Sequence, residues 1–140
     1  MEITKRKQFN YKGKPITEFP EIPNATSYTV ISFAQVPISS FKNFPVLPNL
    51  VVLILDNTNI SNLSYVVPQP KLKKLYLRST PFSKYAAQEI MCSIAFGPSL
   101  QMYNGMEITQ ESIMLADIMA DDVKPFLLQG WVIINMNPIK

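Results

Sequence analysis

Leu50-x-x-Leu53-x-Leu55-x-x-Thr58-x-Ile60-x-x-Leu63 recurs as Leu72-x-x-Leu75-x-Leu77-x-x-Thr80-x-Phe82-x-x-Tyr85. The same step taken backwards gives Tyr28-x-x-Ile31-x-Phe33-x-x-Val36-x-Ile38-x-x-Phe41. A further step gives a degenerate copy, Arg6-x-x-Phe9-x-Tyr11-x-x-Lys14-x-Ile16-x-x-Phe19. A fixed period of this length marks a solenoid, in which each unit buries its apolar face only against its neighbours. The opening six positions of each unit read as a short strand. Side chains alternate along a strand, so positions 4 and 6 face the core while 3, 5 and 7 face out. Stacked strands then form a parallel sheet on one side.

Pro20, Pro23, Pro45, Pro48, Pro68 and Pro70 fall in the second halves of the units. Proline lacks the N–H that a central strand needs, so these return segments are predicted to be extended or turn-like. Ile22, Phe44, Leu47 and Val66 are expected to fill the core from that side. The fourth unit then changes character. Residues 83–96 are free of proline and end in Gly97-Pro98, with Phe82, Ala86, Ile90 and Ile94 recurring every four residues. That pattern predicts an amphipathic helix. It displaces the next inward leucine to Leu100, past the position that the period from Leu72 would give, so the array is ending. Thr109, with Glu111 in the first turn, is expected to cap a helix near 110–120. Residues 121–129 read as a second short helix stopped by Gly130, and Trp131-Val-Ile-Ile134 as an apolar, β-prone segment covering the end of the stack. Residues 1–108 are thus assigned to repeats and 109–140 to cap and tail.

The 140 residues fit one continuous core, and a hydrophobic content of 47% argues against disorder. No apolar run approaches the length needed to cross a bilayer, so no membrane span is expected. The N-terminal stretch has no apolar segment behind its basic residues, which is not the pattern of a signal peptide. Met1 favours an intact start over a fragment of a larger chain. With one cysteine, Cys92, no internal disulfide can form, and a reducing compartment is expected: the cytoplasm, with the nucleus second. There is no histidine, so zinc sites and histidine-based acid–base catalysis lack their usual groups. No cofactor is expected. Net charge is +3, unevenly spread: ten Lys/Arg against four Asp/Glu over residues 1–80, and three against six over 81–140.

The units at Leu50 and Leu72 resemble the leucine-rich repeat family, and the 22-residue period is similar to the subclass of the nuclear phosphatase-1 regulator. Pro98-Ser-Leu-x-x-Tyr-Asn-Gly-x-Glu-Ile-Thr109 is similar to the C-terminal cap of the spliceosomal A-prime protein and the acidic nuclear phosphoproteins. The resemblance covers residues 6 to 112. It implies an α/β fold: a right-handed solenoid with a short-strand parallel concave sheet, an irregular convex side and a helical cap. It further implies a non-catalytic intracellular protein-binding module that uses its concave face. The family carries Asn at position 9 of the unit. Here that position holds Lys14, Val36, Thr58 and Thr80, so the first two turns are expected to be looser. The acidic tail of the phosphoprotein relatives is absent, which removes a histone-chaperone function.

The outward strand positions give the candidate partner-binding residues: Val30, Ser32, Val52, Ile54, Lys74, Tyr76 and Arg78. An apolar middle unit beside a tyrosine and an arginine, types enriched in hot spots, favours partner binding over a surface covered by the tail. Lys71, Lys73, Lys74 and Arg78 would select an acidic or phosphorylated segment. Lys5, Arg6, Lys7, Lys12 and Lys14 are better read as shielding an unpaired sheet edge. No motif with stacking aromatics for nucleic acid is present. Nucleic acid is therefore expected at most indirectly, through an RNA-binding partner that the chain would hold as an adaptor. A monomer is expected. Cys92 reads as a buried thiol, Asp121-Asp122 as a helix cap rather than a metal or acid pair, and Trp131 as part of the end cap.

Overall fold

A computed structural model describes residues 7–134. Residues Lys5 and Arg6 of the basic cluster, and the loose tail expected over 135–140, lie outside the described residues. Six strands form one sheet in sequence order: β1 (Gln8–Asn10), β2 (Val30–Ser32), β3 (Val52–Ile54), β4 (Lys74–Tyr76), β5 (Met102–Tyr103) and β6 (Met106–Glu107). The first five run parallel, and β6 returns antiparallel to β5. Phe9, Ile31, Leu53 and Leu75 lie side by side, each one repeat from the next, as the period requires. Tyr103 continues the row from Leu75 after a longer step. A backbone ladder marks the same rung in each layer: Thr29 N–H to Lys7 C=O, Val51 to Thr29, Lys73 to Val51 and Gln101 to Lys73, all at 2.8–2.9 Å.

Leu50, Leu53, Leu55, Leu72, Leu75 and Leu77 are fully buried, and Ile22, Phe44, Leu47 and Val66 close the core from the return side. The first unit builds its end from rings instead: Tyr11 stacks on Phe33 at 5.3 Å and Phe19 meets Phe33 edge-on at 5.0 Å. Where the family places Asn, the hydroxyls of Thr58 and Thr80 donate to the carbonyls of Leu55 and Leu77, each at 2.8 Å. Val36 has no such group. Its turn closes through backbone alone, with the Val36 N–H on the Phe33 carbonyl at 3.1 Å. Gln35, Asn57 and Ser79, again one repeat apart, share a left-handed backbone with φ of 66°, 58° and 58°.

The proline-rich returns lack a regular backbone ladder, and Gln69 bonds two main-chain groups of the preceding return, the buried Leu47 N–H among them. Its side-chain oxygen accepts from the Leu47 N–H at 2.8 Å and its amide donates to the Pro45 carbonyl at 2.9 Å, with the residue almost wholly buried. The amide thus staples one return segment to the preceding one.

Two helices follow the regular units. The helix expected over 83–96 is shorter. Thr80 accepts from the Ser83 N–H and Pro81 occupies the first helical position, so residues Pro81–Lys84 form a 3-10 turn. Tyr85 is then extended, and α1 (Gln88–Phe96) begins only after this break. Ala86 is exposed while Ala87 is buried, so the four-residue spacing holds within α1 but not before it. Gly97, at φ 114°, stops the helix. Asn104 and Gly105, both at positive φ, turn the chain from β5 into β6.

α2 (Gln110–Leu127) is one helix where two were expected. Thr109 caps it as predicted, accepting from the Ser112 N–H at 3.1 Å. The inward stripe Ser112, Ala116, Met119, Val123 and Leu127 runs on without interruption, so packing carries the helix through residue 121. Pro125 sits in its last full turn. Asp121 and Asp122 are therefore exposed residues of the helix body, not a cap. α2 lies against α1 and makes the closure of the stack. The part expected of residues 131–134 is smaller: they form no strand, Trp131 and Ile134 are exposed, and only Val132 and Ile133 pack against the core. Trp131 instead meets Phe126 edge-on at 6.1 Å on the surface.

Replacing Leu53 by Ala should lower unfolding free energy by about 2–5 kcal/mol, from lost transfer energy and the cavity left behind. Urea denaturation of the variant measures it, and an unchanged midpoint would contradict the register. Gln69→Leu should cost on the order of 1–3 kcal/mol, because it leaves the buried Leu47 N–H unmatched. The same titration checks it.

Candidate functional site

Three rows of side chains cross the solvent face of the sheet, one for each outward strand position. Gln8, Val30, Val52 and Lys74 form the first, and Asn10, Ser32, Ile54 and Tyr76 the second. The seventh position of the unit gives the third: Lys12, Ala34, Asp56 and Arg78. The seven candidate residues are thus neighbours, but they are not equally accessible. Lys74 and Arg78 are exposed, while Ser32, Ile54 and Tyr76 are half-buried. Val30 and Val52 are 1% and 6% exposed. Contrary to the expectation from alternation, neither is available to a partner. Both stand outside the main core cluster, yet as short β-branched chains side by side in mid-sheet, between Gln8 and Lys74, they retain almost no free surface. Alternation sets the direction of a side chain, not its depth.

The accessible part centres on Tyr76 and Arg78. The Arg78 guanidinium lies 5.2 Å from the centre of the Tyr76 ring, a cation–π distance. Its Nε and Nη2 donate to Asp56 Oδ2 at 3.2 and 3.0 Å, while Asp56 Oδ1 accepts from the Arg78 backbone N–H at 2.8 Å. Hydrogen bonding to Asp56, and then its charge, raise the guanidinium's pKa above its ordinary value. Asp56 is one repeat earlier than Arg78, so the group bridges adjacent layers and holds the arginine in place. Among the described residues this is the one ion pair, which leaves Lys71, Lys73 and Lys74 as the unpaired, exposed members of the basic cluster.

Cys92 is fully buried, as expected, and burial pushes its pKa well above the ordinary thiol value. Tyr103, whose hydroxyl donates to Gln88 Oε1 at 2.8 Å, is raised likewise, by burial first and then by the neighbouring thiol. Among the described residues no group of three His, Cys, Asp or Glu is placed to hold a metal ion, and no helix is long and apolar enough to cross a membrane. The sequence pattern did not reveal a second concavity, between α1 and α2. Ile113 and Met114 line it and are exposed, and Ile118 is exposed on the same helix. A periodicity search that assigns every apolar residue of a helix to its core cannot find them.

The parallel stack of 22-residue layers with a helical closure defines a leucine-rich-repeat solenoid. No family model matches the chain, and no curated protein sequence does. Solved structures do. A chain from the crystal structure of the Drosophila melanogaster SNF/U2A' complex superposes with a TM-score of 0.55 at 17% identity, covering 83% of this chain and 85% of that one. A chain from the structure of the Chaetomium Mex67:Mtr2 subunits gives a TM-score of 0.49 at 22% identity, covering 66% and 68%. The first likeness agrees with the leucine-rich-repeat fold over most of the length.

Raised folded-state pKa values at Cys92 and Tyr103 mean that their stabilisation is complete below the ordinary thiol value of 9.0. It is lost as pH rises further, because the unfolded chain releases these protons first. Unfolding free energy should therefore fall by about 2 kcal/mol between about pH 7 and pH 10.5 from the thiol alone. Urea titrations at the two pH values test this, and Cys92→Ala should flatten the dependence.

Proposed function

We propose that this chain is a non-catalytic protein-interaction module that binds a protein partner on the concave, solvent-facing side of its sheet. The observation that supports this best is the Tyr76–Arg78–Asp56 group. An aromatic ring and a guanidinium, residue types that dominate interface energetics, are held in one geometry before any partner arrives. Ile54 and Ser32 extend the surface on one side, and Lys74 with Lys71 and Lys73 adds positive charge on the other. Arg78 is already matched by Asp56, so the lysines are the groups that would favour an acidic or phosphorylated segment. A reducing, intracellular setting goes with this reading, from the single buried cysteine.

The second reading is an adaptor that holds an RNA-binding protein in a ribonucleoprotein complex. It draws on the similarity of the Pro98–Thr109 segment to the cap of the spliceosomal A-prime protein and on a fold shared with a chain of the SNF/U2A' complex.

Tagged protein used for affinity capture from intracellular extract, with and without nuclease, separates the two. Partners retained after nuclease favour the first, and RNA that accompanies an RNA-binding protein favours the second. Tyr76→Ala and Ile54→Asp should each lower recovery of the retained partner at least about tenfold, equivalent to about 1.4 kcal/mol, with the circular dichroism melt little changed. Undiminished recovery by both variants would move the site off this face.

A further inference from the structure

The groove between α1 and α2 has about 890 Å³ of space and runs along α2 from Gln110 to Leu128. Its walls are largely apolar, with Ile94 and Leu100 on one side and Ile113 and Met114 on the other. A helix that closes the end of a solenoid would ordinarily turn polar residues to water. Here the side of α2 away from its buried stripe carries Ile113, Met114 and Ile118, at 45%, 60% and 68% exposure. The groove's polar groups are as informative. Asp117, Asp121 and Lys124 line it, none of them in an ion pair among the described residues, so the lining keeps a net negative charge. Residues 109–134 hold four carboxylates, Glu111, Asp117, Asp121 and Asp122, against the single Lys124. Ser93 also lines the groove, and its hydroxyl is the one buried side-chain oxygen without a hydrogen-bond partner among the described residues.

We propose that this groove is a second docking site, distinct from the sheet face, which takes an amphipathic helix of a partner protein: an apolar stripe against Ile113 and Met114, flanked by lysine or arginine. The shape sets the form of the occupant. An elongated apolar trough along one helix suits another helix laid beside it. The charge sets its composition, because Asp117 and Asp121 would pair with basic flanks and repel acidic ones. The same carboxylates repel anionic lipid headgroups, so a membrane surface does not fit.

The test uses the full chain and a fluorescently labelled Leu/Lys amphipathic helical peptide of about 14 residues, roughly 21 Å long. Its Leu/Glu counterpart and a scrambled Leu/Lys sequence serve as controls. Fluorescence anisotropy should show saturable binding of the amphipathic Leu/Lys peptide, at least about tenfold tighter than either control. Met114→Asp, and separately the double change Asp117→Lys with Asp121→Lys, should each weaken it about tenfold or more, with circular dichroism confirming the fold. Tyr76→Ala should leave it unchanged, so failure here is distinguishable from failure of the sheet-face site. Absent binding, equal binding of a control, or insensitivity to both groove variants would overturn the proposal. So would binding seen only after removal of residues 135–140, which would make the tail the occupant. Concentration-dependent dimerisation abolished by Met114→Asp would make it a second copy of this chain.

Discussion

A strand of three residues cannot hold itself together, and every other feature of this protein follows from how that is overcome. Each strand is stable only because the same rung recurs one repeat later beside it, with a backbone hydrogen bond between equivalent residues. Register therefore acts as a single constraint on the whole chain. It aligns Ile31, Leu53 and Leu75 inside, and by the same alternation it aligns Ser32, Ile54 and Tyr76 outside. The core and the interaction face are two readings of one period.

The return side faces a different difficulty. Its prolines remove donors and prevent a regular ladder, so buried carbonyls and amides must be matched one at a time. Gln69 does this on the return side, and Thr58, Thr80 and Asn104 do the same where the strands turn, each reaching main-chain groups of its own or an adjacent layer. Asp56 does comparable work on the open face, but through a carboxylate that also fixes Arg78. A polar side chain that completes the backbone of the solenoid is thereby also the one that orients a surface residue.

The repeat, its strands, the lengthened step from Leu72 to Leu100 and the Thr109 cap are legible in the sequence, because each rests on periodicity or on local capping chemistry. The break at Tyr85 is not. It depends on Pro81 and Thr80 forming a tight turn whose exit angle no apolar spacing records. The length of α2 is hidden because Asp121-Asp122 looks like a helix start, whereas Met119, Val123 and Leu127 continue one buried stripe past it. Alternation gives the direction of Val30 and Val52 as off the core, but not their depth. Accessibility is set by neighbours across the sheet, which a single strand does not contain. The groove beside α2 escapes for the same reason: it belongs to two helices and to neither sequence alone.

The two ends of the stack are closed by unlike means. Among the described residues the first layer ends in a three-residue edge strand padded with aromatic rings, while the last is backed by α1 and α2 packed together. In a linear array with coupling only between neighbours, the layer with the fewest contacts is expected to part first under tension. At the N-terminal end, tension meets one rung and a few rings. Tension at the C-terminus must first separate two helices and the segment around Ile133 that rests on Met91. The N-terminal layer is therefore expected to part before the C-terminal closure does.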